Sequence, residues 1–228
     1  AYQHRYVRAG MNILLTDYHR LFCDDKLLPA GLLREPAYGK DRASIVIVTK
    51  CPDDIKPIDF NIIGKRLDLY PFQELYFSRF KYGELESAFL KEDVNNIALE
   101  CLGELDHILL VTGIANPIYL KDELTKHNPH IDCLSFRDHY QFTEADINDI
   151  SMRFQSLVGD KKIIITTEKD SMRLLGMSIP DELKRLIYTI PVEVEILQDK
   201  QTVFNQKILD YVRKNKRNSS LSTRENDY

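Results

Sequence analysis

The sequence lacks a basic surplus, a paired-cysteine motif, a long apolar run and a phosphate-cradling glycine loop, and each absence removes a class of function. Its 31 Lys and Arg stand against 35 Asp and Glu, a formal charge of -4. A dedicated nucleic-acid binder carries the opposite balance, so nucleic acid is not an expected partner, although a local basic pocket for phosphate stays open. Cys23, Cys51, Cys101 and Cys133 lie far apart with no CxxC pair and no histidine at ligand spacing. That argues against a structural zinc site and fits a reducing cytosol. No apolar run is long enough to span a bilayer. No G-x-x-x-x-G-K occurs in the 228 residues, so the P-loop cradle is missing from this stretch. No Ser or Cys stands in a nucleophile elbow, which leaves a hydrolase without its attacking group.

What is present is an ordinary globular composition, 43% hydrophobic and 29% charged, sufficient for one large domain or two small ones. The chain opens on Ala1-Tyr2-Gln3-His4-Arg5 without an initiator Met and reads as a chain entered partway. Gln3, His4 and Arg5 can bond phosphate or sugar oxygens, or form a solvated turn. Asn12–Thr16 predicts a strand ending at Asp17. In LLPAGLLREP (Leu27–Pro36), Pro29 and Gly31 predict a tight turn. Arg34 is suited to a phosphate, and Glu35 to holding that Arg or a metal-bound water; a surface Arg34–Glu35 pair is the alternative. Ser44–Thr49 predicts a buried strand after Arg42. Its Thr49-Lys50 ending is weakly similar to a base-recognition loop, with Pro52 where an aspartate is expected. Ile58–Leu67 predicts a helix and Gln73–Lys81 a strand, within a connecting stretch, Phe72–Leu105, that carries no chemistry.

From Asp106 three strand-helix units follow, which predicts a mainly parallel sheet covered by helices. Strand His107–Thr112 leads through Gly113 to Asn116-Pro117, an N-cap with Pro at N1. That start can serve an anion or only a compact turn. Strand Ile131–Phe136 leads into Arg137-Asp138-His139 and a helix capped by Thr143 with Asp146 three residues on. Strand Lys162–Thr166 leads to Thr167-Glu168-Lys169-Asp170, again a capped start, where Lys169 can meet a phosphate or stand in solvent. Leu186–Leu197 alternates around Pro191 and predicts a strand near a sheet edge. Thr202–Lys214 predicts an amphipathic helix with Val203, Phe204, Ile208, Leu209, Tyr211 and Val212 on its apolar side. The tail after it is expected to be disordered, its basic cluster (Arg213, Lys214, Lys216, Arg217) free for solvent or an anionic membrane. The expected domains are residues 1–105, 106–199 and 200–228.

The stretch FRDHYQFT (Phe136–Thr143) concentrates the chemistry. A titratable pair between a strand's C-terminal end and the next helix sits where α/β proteins place ligands. Asp138 can fix the tautomer of His139, which suits proton transfer near neutral pH. A surface histidine bonded to its neighbour is the other reading.

Taken in order, AYQHRYV, LLPAGLLREP, TGIANP, FRDHYQF with TEADI, and TTEKD resemble the motifs of the tetraacyldisaccharide 4'-kinases, the lipid A kinases, over nearly the whole chain. The resemblance implies a two-lobed P-loop kinase-like α/β architecture, here a truncated P-loop lobe plus a smaller α/β lobe. It implies transfer of the γ-phosphate of ATP, with Mg2+, to the 4'-hydroxyl of an acylated glucosamine disaccharide 1-phosphate in lipid A biosynthesis. That work belongs at the cytoplasmic face of the bacterial inner membrane, with the enzyme peripheral to the membrane surface. By resemblance His139 pairs with a catalytic aspartate, Asp138 orients His139, Gln3, His4 and Arg34 bind substrate, and Glu35 helps to position the metal. The P-loop, that aspartate and the paired aspartates of DDxxQHR precede Ala1 in the family's pattern, so the fragment itself is expected to be inactive. A non-catalytic module that binds a phosphorylated glycolipid or a protein is the alternative.

Overall fold

The structure, a computed structural model, describes residue 2, residues 9–89 and residues 96–222, with the side chains of the last helix described as far as residue 215. In chain order its regular elements are β1 (Ile13–Asp17), β2 (Ile45–Thr49), α1 (Pro57–Leu67), β3 (Glu74–Tyr82), β4 (Glu86–Ser87), β5 (His107–Thr112), α2 (Ile118–His127), β6 (Ile131–Ser135), α3 (Glu144–Ser156), β7 (Lys162–Thr167), α4 (Glu168–Leu174), α5 (Asp181–Lys184), β8 (Ile187–Ile190), β9 (Val192–Ile196) and α6 (Gln201–Ser222). They form two compact units, Ala1–Lys81 with Val194–Tyr228, and Tyr82–Glu193.

In the first unit a four-stranded sheet runs β1-β2-β3-β9, with β1, β2 and β3 parallel. The β2 run IVIVT is apolar throughout because both of its faces are covered. Val46 and Val48 pack with Ile63 and Leu67 of α1, whereas Ile45 and Ile47 pack with Phe204 and Ile208 of α6. α1 starts where Pro57 takes the first helical position and the Asp59 carboxylate accepts from the Lys56 amide at 3.0 Å.

The second unit holds a five-stranded sheet, β4-β8-β7-β5-β6, parallel from β8 through β6, with the short β4 antiparallel at one edge. Again the strands are apolar on both faces. Leu109, Val111 and Ile164 meet Ile147, Ile150 and Phe154 of α3, while Ile108, Leu110 and Ile165 meet Leu120 and Leu124 of α2. Because β6, β5 and β7 are neighbours running the same way, their C-terminal ends share one edge, and the loops that leave them are brought together there.

Four expectations need correcting. The compact units do not follow boundaries at 105 and 199: Leu85 and Leu102 are buried in the core of the second unit, and α6 packs on the sheet of the first. Leu186–Leu197 is two strands, not one. Pro191, which has no amide hydrogen to give a ladder, separates β8, second from the edge of one sheet, from β9 at the edge of the other. The strand expected at Gln73–Lys81 is present as β3, but it is an interior strand of the first sheet and not part of a mere connection. Finally, α6 runs to Ser222, through residues expected to be disordered, and Val203, Leu209 and Val212 stand exposed on it.

Candidate active site

In the second unit the FRDHYQF loop is held from beneath and polar above. The Phe136 ring packs against Tyr140 and Phe142, with centroids 4.8 and 5.0 Å away, and Phe142 is buried. The Tyr140 hydroxyl donates to Asp146 Oδ2 at 3.2 Å. Asp146 also completes the capping box with Thr143: its carboxylate accepts from the Thr143 amide at 2.7 Å, and Thr143 Oγ1 accepts from the Asp146 amide at 3.3 Å. The Thr143 hydroxyl holds the Asp146 carboxyl below the ordinary aspartate range, against a smaller opposing effect of burial.

Between these anchors the backbone turns sharply. The Tyr140 amide donates to the Arg137 carbonyl at 3.1 Å, and His139, third in the turn, has φ of 60°. A non-glycine residue held there costs on the order of 1 kcal/mol and marks places where a loop is shaped for a purpose. The Asp138 carboxylate supports the turn by accepting from the His139 amide at 3.0 Å.

The expectation that Asp138 orients the His139 ring is not met. His139 Nε2 lies 3.8 Å from Asp138 Oδ2, beyond hydrogen-bond reach. Asp138 is instead engaged by Lys169, whose Nζ donates at 3.2 Å. That hydrogen bond is the largest influence holding the Asp138 carboxyl low, with burial opposing it and the Lys169 charge and the His139 amide adding to it. The ring is three-quarters exposed, with Lys169 Nζ 3.5 Å from Nε2 and Arg173 Nη2 3.4 Å from Nδ1. The structure therefore brings Asp138, His139 and Lys169 together at the carboxyl edge of the sheet and adds Arg173, which sequence reasoning missed. One signal was available: Arg173 follows Lys169 by four residues, one helical turn, and so shares its face of α4.

The TGIANP turn belongs to the same edge. Gly113 lies against the buried Asp170, its amide donating to Oδ2 at 2.8 Å. A Cβ at 113 would stand 3.0 Å from Asp170 Oδ1, so glycine permits the close approach. Asn116 Oδ1 accepts from the Ile118 amide at 3.2 Å, and α2 begins at Ile118 after Pro117, one residue later than expected.

In the first unit Arg34 and Glu35 border an open cavity of about 320 Å³, with Tyr2, Leu33 and Lys40. The two do not pair with each other. Glu35 Oε1 accepts from Arg42 Nη2 at 2.6 Å, and the Arg42 guanidinium stands over the Tyr2 ring at 4.9 Å. Arg34 is exposed. Glu35, expected to help to position a metal, belongs to no group of three metal-ligating side chains among the described residues. Lys50, at φ of 60°, donates to Asp17 Oδ2 at 2.6 Å, joining the ends of β1 and β2. Gln3 and His4 lie outside the described residues.

A family model described as tetraacyldisaccharide-1-P 4'-kinase matches residues 1–213. The tetraacyldisaccharide 4'-kinase of Bacteroides thetaiotaomicron is 57% identical, over 99% of this chain and 61% of its own length. That of Parabacteroides distasonis is 45% identical, over 93% of this chain and 58% of its own. The chain thus spans about three fifths of the length of the curated relatives it matches. A crystal structure of LpxK from Aquifex aeolicus, an "apo" form in complex with ATP, aligns over 88% of this chain and 53% of its own, with a TM-score of 0.51 and 19% identity, a likeness of fold. The sequence match over nearly the whole chain establishes that it belongs to the tetraacyldisaccharide 4'-kinase family.

Proposed function

We propose that the protein containing this chain transfers the γ-phosphate of ATP to the 4'-hydroxyl of a tetraacylated glucosamine disaccharide 1-phosphate, and that the chain supplies the acceptor-side half of the site. One observation carries the proposal: Asp138 and His139, on the loop after β6, converge with Lys169 and Arg173, on α4 after β7, at the carboxyl edge of a parallel sheet. Phosphoryl transfer asks a protein for cationic positioning of phosphate oxygens and for a group that handles the proton of the attacking hydroxyl. Lys169 and Arg173 offer the first. His139, exposed and held in a fixed turn, serves the second as the dyad partner of a carboxylate that takes the proton.

In the first unit, Arg34 has the exposure and the planar donor fork to bind a phosphate through two parallel hydrogen bonds, and Gln3 and His4 are assigned to the substrate with it. The reaction class uses Mg2+. Glu35 accepts from Arg42, and no group of three metal-ligating side chains occurs among the described residues, so no step is routed through the ion. The acyl chains of the substrate place the reaction at a membrane surface, on the cytoplasmic side where ATP is available. No helix among the described residues is long and apolar enough to cross a membrane.

The test is His139→Ala in the protein as its gene encodes it. Turnover is expected to fall about 100-fold or more, the usual worth of a positioned acid-base group, with the KM for ATP within about twofold of the wild type. Unchanged turnover removes His139 from the mechanism. Tight binding of the glycolipid without any phosphate transfer by the wild-type protein would favour the non-catalytic module instead.

A further inference from the structure

We infer that Asp170, acting through Arg173, is the positioning residue that sets the tautomer and orientation of His139; the inference rests on the proton-handling role proposed for that histidine. Asp170 has no exposed surface. A carboxylate in that position destabilises the fold unless it is fully bonded, and it is. Oδ2 accepts from the Gly113 amide and from Thr167 Oγ1, each at 2.8 Å, and Oδ1 accepts from Arg173 Nη1 at 2.8 Å. One buried group thereby ties the loop after β5, the cap of α4 and a guanidinium on the next turn. With Nη1 fixed, the planar fork leaves Nη2 directed at His139 Nδ1, 3.4 Å away.

The chemistry of the donors decides the tautomer. A guanidinium only donates, so the contact requires an unprotonated Nδ1 and puts the ring hydrogen on Nε2. The competing arrangement has Nε2 accept from Lys169 at 3.5 Å. Lys169 is nearly half exposed and already bonded to Asp138, whereas the Arg173 side chain is 16% exposed and anchored to a fully buried carboxylate. The rigid donor prevails over the mobile one. An Nε2–H is also the tautomer that can donate to a carboxylate partner in the site, which is the role the proposed mechanism asks of it.

The experiment has a spectroscopic arm and a kinetic arm. In the full chain labelled with 15N-histidine, long-range proton–nitrogen correlation spectra are expected to show His139 with a protonated Nε2 and a bare Nδ1. In Arg173→Gln and Asp170→Asn that preference is expected to be lost. A wild-type ring protonated on Nδ1, or a tautomer unmoved in both variants, overturns the inference. In turnover assays of the protein as its gene encodes it, Arg173→Gln is expected to lower kcat about 10- to 100-fold with the KM for ATP unchanged, part of the loss being regained by Arg173→Lys. Placed in a His139→Ala background, Arg173→Gln is expected to cost nothing further, since the two act as one unit. A full additional loss there overturns the inference. If His139→Ala alone leaves turnover intact, the proposed role of His139 has failed, and the spectra still judge the link from Asp170 to the ring.

Discussion

The Arg42 guanidinium donates to the Glu35 carboxylate at 2.6 Å, and Arg34, next to Glu35 in the chain, lines the same cavity. Gly39 closes the space behind Glu35, where a Cβ would meet the carboxylate carbon at 2.9 Å. Arg42 therefore orients Glu35 from one side while the chain confines it from the other. Both partners are partly exposed, and a pair of that kind contributes about 0–1 kcal/mol to stability. Arg42→Ala is expected to shift the unfolding free energy by no more than about 1 kcal/mol while lowering turnover about tenfold. Urea titration and initial rates on the same preparation check the two halves. A variant with unchanged rates makes the Arg42–Glu35 pair structural only.

Thr112 is the last residue of β5 and Thr166 the last but one of β7, and both hydroxyls are buried with no hydrogen-bond partner among the described residues. A buried hydroxyl without a partner forfeits about 1–3 kcal/mol relative to its bonded state. Valine has the same branching without the polar atom. Thr166→Val is expected to raise stability by about 1 kcal/mol, read as a higher urea midpoint at constant slope. A lower midpoint would show that the hydroxyl is satisfied in solution.

Much of the fold was legible because its signals are local. Thr143 with Asp146, Thr167 with Asp170, and Asn116 before Pro117 each announce a helix start within four residues, and the apolar strands between them have no other reading in a layered α/β protein. The errors arise where tertiary context decides. Nothing near Pro191 states that its two flanks join different sheets. Leu209 and Val212 continue an apolar pattern that the sheet does not cover. The site was half legible for the same reason. Asp138 is adjacent to His139 and was credited with the ring, but Arg173 reaches it across 34 residues, and only the parallel order β6-β5-β7 brings them together.

The α3 capping box gives stability a definite dependence on pH. Asp146 titrates lower in the folded protein than in the unfolded chain, chiefly because the Thr143 hydroxyl donates to its carboxylate. A depressed folded-state value contributes stability that is fully present above the unfolded aspartate value near 4 and disappears as pH falls through the lower folded value. Thr143→Ala removes both the hydroxyl that lowers Asp146 and the cap itself, and is expected to cost about 1 kcal/mol at pH 7. The wild-type advantage should shrink steadily below about pH 4. Denaturation curves of both proteins from pH 7 to pH 3 decide it: a difference that does not change with pH would assign the effect to the Thr143 hydroxyl's hydrogen bond with the backbone alone.

Helix α6 attaches to the first unit through a narrow stripe, and the same residues predict how substitutions along it differ. Phe204 meets the buried Tyr76 ring edge-on with centroids 5.1 Å apart, and Ile208 packs with it against Ile45 and Ile47. On the polar margin Lys207 pairs with Glu74. Glu74 also accepts from the Tyr76 hydroxyl at 2.7 Å, and the phenol is pushed up to about 12, by burial first and the carboxylate second. Phe204 is only partly buried, so its truncation falls below the range for a fully enclosed ring: Phe204→Ala is expected to cost about 2–3 kcal/mol. Val212, exposed on the same helix, should tolerate alanine within about 0.5 kcal/mol. If stability in the two variants fell equally, the apolar side of α6 would be covered along its length, as the bare sequence pattern suggested, and not only at Phe204 and Ile208.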